Sequence, residues 1–443
     1  MPDNINKNFS MKTNSKRIPL MALLVIFILS PYGYAMGESS NFLWPETDYK
    51  GEWTARPMLT GNWGGVRTNL ADKGFILNVD TTGTYQSIIN GGLKETGAFG
   101  GSVDYELRMN FKKMGLWEGA FIRLYGKTRY GNFVNKYTGA LTAANMDGLF
   151  PLADENTTEL MSATYYQYIL ENLGFYLGKL DTLDRDTNEF AGGKGKVNFL
   201  NQNFVFNPVT MVTVPDSALG AGLFFLFPDN EDKFSLTVMD ADGHPDDTRF
   251  DDAFSDGISF MLEYRMHFEP LGLRAHQLFG ISYGTKDYAL VDNAPWLTIA
   301  GIESSDVTES DKRNSWSIYY NYDQILYYEK NDPKQGLGYF LKLGISDKKS
   351  NPIDWCYSFG IFGTGVIPTR NRDTFGIGYY YTGVSDDTPG YPDIISNAEG
   401  FEFFYNFEVT PWMHITPDIQ VISSAFNDIN TAIVGGVRVK IDI

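Results

Sequence analysis

Val103-Asp104-Tyr105-Glu106-Leu107-Arg108-Met109-Asn110-Phe111 sets an apolar residue at every odd position and a polar or charged one at every even position. In an extended strand successive side chains leave opposite faces, so Val, Tyr, Leu, Met and Phe share one side and Asp, Glu, Arg and Asn the other. A helix would mix the two sets on every side. A run of this length is close to the roughly 9–11 residues a tilted strand needs to cross a bilayer. The pattern returns in Ile258–Phe268, Phe401–Val409 and Val437–Ile443.

Turn signals join such runs into hairpins. Lys113 to Gly119, Glu171-Asn172-Leu173-Gly174, Glu269-Pro270-Leu271-Gly272 and Thr410-Pro411-Trp412 are short breaks. Asp240 to Asp256 and Ser304 to Asn314 are long polar ones. Short turns at one end and long loops at the other are the asymmetry of outer-membrane barrels. A soluble sandwich also alternates, but its strands average about 5–6 residues. Its packed core would also deny water to Glu106, Arg108, Arg123 and Lys127, and isolated buried charge is costly. A water-filled lumen removes that conflict. The expected fold is therefore all-β, a closed antiparallel transmembrane β-barrel.

Composition agrees. Aromatic residues make up 15% of the 443 residues, Gly numbers 45, and charged residues stay at 20%, which suits many strands, turns and an aromatic girdle. The start of the chain reads as a signal peptide over 1–35. Lys7, Lys12, Lys16 and Arg17 precede the apolar run Ile18 to Leu29, and Gly33-Tyr34-Ala35 offers small residues for cleavage. That run is too short to span a bilayer, which takes about 20 apolar residues. Removing 1–35 takes the net charge from −18 to about −21, which argues against nucleic acid as a partner. Acidic clusters such as Asp246-Asp247 and Asp251-Asp252 are expected on outer loops as ordinary solvated charge, with bridging by divalent cations to lipopolysaccharide as the lesser alternative. Cys356 has no disulfide partner.

Residues 36–74 read as an N-terminal extension with one short helix over Asn62 to Lys73, Gly74 serving as its terminator. Residues 75–443 form the barrel. Whether the extension lies outside or tucks into the lumen stays open at this level.

Leu59-Thr60-Gly61-Asn62-Trp63-Gly64-Gly65-Val66-Arg67 resembles the carbohydrate-selective porin family of the Gram-negative outer membrane. Leu177-Gly178-Lys179-Leu180-Asp181, Phe190-Ala191, Phe199-Leu200-Asn201 and Pro215-Asp216-Ser217-Ala218-Leu219-Gly220 are similar to its central blocks. Glu402-Phe403-Phe404-Tyr405, Thr410-Pro411-Trp412 and Thr416-Pro417-Asp418-Ile419-Gln420 resemble its C-terminal signature. The resemblance implies sixteen strands and passive diffusion of glucose and other small sugars. Two departures stand out. Such barrels usually end on an aromatic residue, whereas this chain ends on Ile443, which implies a weaker insertion signal. The relatives tend to carry basic lumen residues, whereas this chain is acidic overall.

A sugar pore needs polar groups that replace water around hydroxyls and bind weakly enough to let go. The alternation offers Asp104, Glu106, Arg108 and Asn110 on one strand and Arg123, Tyr125, Lys127 and Arg129 on the next. The connection Gly139 to Leu160, with Asn145, Asp147, Phe150, Asp154 and Glu155, is a candidate for an inward-folded constriction, and an ordinary outer loop is the competing reading. Trp117, Trp316, Trp355 and Trp412 read as girdle residues.

No catalytic residue, cofactor or resident metal is expected. The four histidines stand without a G-x-S-x-G elbow, so an outer-membrane hydrolase is the weaker alternative. Asp184-Arg185-Asp186-Thr187-Asn188-Glu189 opens like a calcium loop but has no Gly at its sixth position and Gly195 where the closing Glu belongs. A general or ion-selective porin, and a barrel serving mainly as surface antigen or anchor, remain further alternatives. A homotrimer is a possible assembly.

Overall fold

The structure, a computed structural model, describes residues 44, 47–151, 156–183, 188–227, 232–245, 252–293 and 311–443. The signal-peptide reading, Asp154 and Glu155, the clustered acids at 246, 247 and 251, and the start of the calcium-like loop lie outside them.

Sixteen antiparallel strands close on themselves, each paired with its chain neighbours and β1 with β16. They are β1 (Phe75–Asn90), β2 (Gly97–Asn110), β3 (Ala120–Gly131), β4 (Thr157–Tyr168), β5 (Leu173–Asp181) and β6 (Ser217–Leu226). Next come β7 (Lys233–Asp240), β8 (Ile258–Phe268), β9 (Ala275–Ala289), β10 (Asp311–Glu329) and β11 (Asp332–Ser346). The circuit ends with β12 (Ile353–Thr364), β13 (Thr374–Val384), β14 (Ala398–Thr410), β15 (Met413–Ile422) and β16 (Ala432–Asp442). Closure leaves no unpaired edge, which a sheet needs if it is to sit in lipid. Among the described residues no helix is long and apolar enough to cross a membrane.

The period-two reading holds residue by residue on β2. Phe99 and Tyr105 are exposed on the outer face, while Ser102 and Asp104 are buried on the inner one. The outer face carries aromatic bands near both ends, as interfacial side chains do. Phe111, Trp117 and Tyr165 form one group, with ring centroids 4.8 and 6.1 Å apart. Trp355, Tyr357 and Tyr381 stack at the other end, 5.2 to 6.1 Å apart. The start of β1, the end of β16 and the short turns share one end, and the strand ends joined by the connections 132–156, 182–216, 241–257 and 290–310 share the opposite end.

The N-terminal helix α1 (Val66–Asp72) starts later than the sequence suggests. Gly64 and Gly65 have φ of +66° and +102°, so the chain enters the helix only after them. Gly74 terminates it at φ +91°, and a Cβ there would lie 2.6 Å from the Asn110 carbonyl oxygen, so only glycine fits. The extension packs onto the short-turn end rather than standing free. Arg67 donates to the Ile443 carbonyl at 2.6 Å, and Leu59 N–H to that of Asp442 at 2.7 Å. Trp44 packs against inward-facing Ile76, Phe121, Tyr176 and Phe224, filling an apolar patch inside the barrel mouth. Trp412 is 4% exposed beneath Trp53, donating to its carbonyl at 2.8 Å. The girdle reading of Trp412 is thus corrected, because the extension covers that turn. Trp117, Trp316 and Trp355 do face outward.

Candidate pore constriction

Strands β2 and β3 bring the alternating charges into direct register. Asp104 lies opposite Lys127, Glu106 opposite Tyr125, and Arg108 opposite Arg123. The Glu106 carboxylate accepts from Arg123 Nε at 2.6 Å and pairs with Arg108 Nε at 3.0 Å. These three side chains keep 16–21% of their surface exposed, enough for water to reach them. Two guanidinium groups on one carboxylate leave a net positive, donor-rich triad with no need to bury an unpaired charge.

The other five candidates do different work. Tyr125 donates to Asp104 at 2.9 Å and lies under the Lys194 ammonium, 4.5 Å from its ring centre. Asp104 also pairs with Lys196. Lys127 donates to the Asp147 carboxylate and carbonyl, both at 2.9 Å, and Arg129 to the Gly148 carbonyl at 3.0 Å. Asn110 caps a turn by accepting from Lys113 N–H at 3.1 Å. So Asp104, Tyr125, Lys127 and Arg129 hold inward-folded chain, and Glu106, Arg108 and Arg123 stay partly exposed on the inner face.

Two connections fold inward. In 132–156, Asn145 donates to Gln86 at 3.1 Å, Asp147 accepts from Ser102 at 2.8 Å, and the Ala144 carbonyl accepts from Gln420 at 2.9 Å. In 182–216, Lys196 reaches Asp80 at 2.8 Å, and Lys194 meets Asp181 at 2.5 Å. Burial by itself would lower the Lys196 pKa, but the carboxylates of Asp147, Asp104 and Asp80 outweigh it and hold the ammonium well above its ordinary range.

The far wall seats the second connection. Phe190, Phe199 and Phe204 pack on Phe340, Phe362, Tyr380 and Phe404 of β11 to β14. Gly376 and Gly378, two apart on the inner face of β13, leave room for this. A Cβ there would stand 2.7 Å from Phe199 and 2.6 Å from Phe204. Above them Glu402 accepts Leu200 N–H at 2.6 Å and Asn201 N–H at 2.9 Å. Arg438 donates to the carbonyls of Gly195 at 2.7 Å and Asn198 at 2.9 Å.

Between this connection and the wall lies a cavity of about 160 Å³ bounded by Phe150, Phe206, Met211, Asp216, His244 and Lys286. Burial pushes the Asp216 carboxyl up to about 6 from 3.8, His244 pulling the other way. The folded chain therefore holds that proton more tightly than the unfolded one. Its stabilisation is complete below pH 3.8 and is lost as pH rises through about 6. At about 1.4 kcal/mol per pH unit, ionised Asp216 costs about 3 kcal/mol at pH 7.5. Asp216→Asn is expected to raise the urea midpoint of refolded protein at pH 7.5 and leave it unchanged at pH 3.

A barrel narrowed from inside by its own connections, with a charged triad on the open wall, can now be set beside known proteins. Residues 94–443 match the carbohydrate-selective porin, OprB family. The chain belongs to that family. Porin B of Pseudomonas aeruginosa is 20% identical over 431 residues, covering 86% of this chain and 90% of that one. The high-pH structure of Pseudomonas putida OprB is similar with a TM-score of 0.76 and 18% identity, covering 89% of this chain and 100% of that chain. The low-pH structure of the same protein gives 0.59 and 16%, with 88% and 99% covered.

As a member of the OprB family the protein is a Gram-negative outer-membrane porin for passive diffusion of small hydrophilic solutes, carbohydrates among them. The short-turn end then faces the periplasm and the long connections face outward. Sequence reasoning offered the 139–160 connection as an inward segment, with an ordinary outer loop as an equal reading, and missed 182–216, the larger one. A signal was present. Phe190, Phe199, Leu200, Phe204, Val205 and Phe206 are too apolar for a water-exposed loop, since connecting segments normally run over the surface.

Proposed function

We propose that the Glu106–Arg108–Arg123 triad is the selective element of a sugar-conducting pore. The observation that carries this is a carboxylate shared by two guanidinium groups, all three partly open to the lumen. Sugar hydroxyls both donate and accept, so they can replace water on Arg N–H donors and on Glu oxygens at once. Weak, exchangeable hydrogen bonds suit passage better than tight binding. Asp104, Tyr125, Lys127 and Arg129 act beside it by holding the inward connections that narrow the pore.

Glucose-sized neutral sugars fit this chemistry, and transport here needs no catalysis, cofactor or energy coupling. Residues 1–35 would be removed on export, 36–74 would brace the periplasmic mouth, and 75–443 would form the barrel. Lipopolysaccharide would contact the outer acidic loops, and a homotrimer would be the assembled form. The second reading is a general or ion-selective pore, favoured by the net positive charge of the triad.

Single-channel conductance in planar bilayers, titrated with glucose, maltose and a neutral amino acid, separates these. Saturable block by the sugars alone is expected. Arg108→Ala with Arg123→Ala leaves Glu106 without its cations, so the reversal potential in a salt gradient is expected to move toward cation selectivity. Sugar block should weaken about tenfold or more, since one charge-assisted hydrogen bond is worth about 1.5–3 kcal/mol and 1.4 kcal/mol is tenfold. Unchanged block and reversal potential would remove the triad from the constriction. An open channel indifferent to sugars would establish the general pore instead.

A further inference from the structure

Near the short-turn end, three side chains from three elements converge away from the triad. His276 of β9 and Asp323 of β10 are direct cross-strand partners. His276 Nδ1 lies 2.6 Å from Asp323 Oδ1 and 3.8 Å from Glu189 Oε2 of the inward connection. The ligand atoms of all three lie within 4.8 Å of one another. Ligands about 2.1 Å from a tetrahedral ion stand about 3.4 Å apart, and the two measured separations straddle that spacing.

The backbone, rather than a chance rotamer, puts them there. Glu189 N–H donates to Asp323 Oδ2 at 3.1 Å, and the Asn188 amide donates to Asn321 at 2.6 Å and to the Tyr322 carbonyl at 3.0 Å. Each carboxylate thus spends one oxygen on an outer partner and turns the other inward. For Glu189 the outer partner is Arg274, which takes Oε1 and leaves Oε2 toward the imidazole. Outer partners of this kind fix the orientation of metal ligands. His276 and Asp323 are 5% and 2% exposed, whereas Glu189 is exposed and closes the site on its open side, where an ion can enter.

We propose that Glu189, His276 and Asp323 form a binding site for one divalent cation of the zinc type, which ties the inward connection to the β9–β10 wall. One imidazole nitrogen with two carboxylates suits Zn²⁺, whereas Ca²⁺ and Mg²⁺ want oxygen alone and more ligands. Entry of the ion at Nδ1 leaves the neutral imidazole with its one proton on Nε2 and converts a two-residue hydrogen bond into a three-element clamp.

The test is calorimetric titration of refolded, EDTA-dialysed protein in detergent with ZnCl₂ and, separately, CaCl₂. One Zn²⁺ per chain is expected, bound about 100-fold or more tighter than Ca²⁺. His276→Ala should weaken Zn²⁺ binding about 100-fold and Glu189→Gln about tenfold, near the range that metal-site changes produce. His244→Ala, in the separate cavity, should leave it unchanged. Heat-modifiable migration on gels reports that each variant is folded. If His276→Ala does not fold, Glu189→Gln carries the test. Wild-type protein that binds no Zn²⁺, or a folded His276→Ala or Glu189→Gln variant that binds it as wild type does, overturns the proposal.

Discussion

Glu402→Ala is expected to release the 182–216 connection from the far wall and raise single-channel conductance several-fold. Glu402 is fully buried and receives two backbone N–H groups, Leu200 at 2.6 Å and Asn201 at 2.9 Å. Alanine offers neither acceptor, and each buried donor left unsatisfied costs about 1–3 kcal/mol. Two such losses amount to about 2–6 kcal/mol, enough to depopulate a seated loop. The aromatic contacts of Phe199 and Phe204 would remain, with centroids 4.6 to 6.1 Å from their neighbours. Partial rather than complete release is therefore the expected state, seen as frequent transitions to a larger conductance level. Glu402→Gln keeps one acceptor and should show fewer of them. Wild-type conductance with Glu402→Ala would mean that aromatic packing alone seats the connection.

Arg438→Met is expected to cost about 3–5 kcal/mol of barrel stability, the range for removing one partner from a buried charge network. Arg438 is 1% exposed on the inner face of β16, near the carboxyl groups of Asp418, Glu402 and Asp147. Its guanidinium also donates to Thr416 at 3.3 Å and to the two carbonyls of the inward connection. Methionine has similar length and fills the space, so the loss is electrostatic rather than a cavity. The guanidinium-chloride midpoint of the refolded variant in vesicles should fall. Asp418→Asn in the same background should recover part of it by removing a carboxylate that has lost its cation. A double variant no more stable than Arg438→Met would show that the carbonyl contacts, not the carboxylates, account for the cost.

How far the sequence reached differs between the wall and what fills it. The run Val103–Phe111 displays its own outcome because period-two alternation is local, and lipid on one side and water on the other act on each residue separately. Closure follows too, since lipid cannot satisfy an open strand edge. Glu106, Arg108 and Arg123 were legible as inward-facing by the same count. Asn110 was assigned to the same face, yet it sits where β2 ends, and the turn uses its side chain as a cap.

The sequence by itself determined a membrane-spanning all-β wall, the identity of its inner face and the family. The tertiary structure alone decided which inner residues are covered by inward-folded chain and which stay partly exposed. Lys127 and Arg108 look equivalent along the chain, but Asp147 covers Lys127 to 5% exposure, while Arg108 pairs with Glu106 and keeps 21% of its side chain exposed. That choice depends on pairings such as Leu200 with Glu402 and Gly195 with Arg438, joining residues 202 and 243 positions apart. Strand faces are fixed by local geometry. The seating of a connection is fixed by glycine gaps, aromatic rings and buried charges that come together only when the barrel closes.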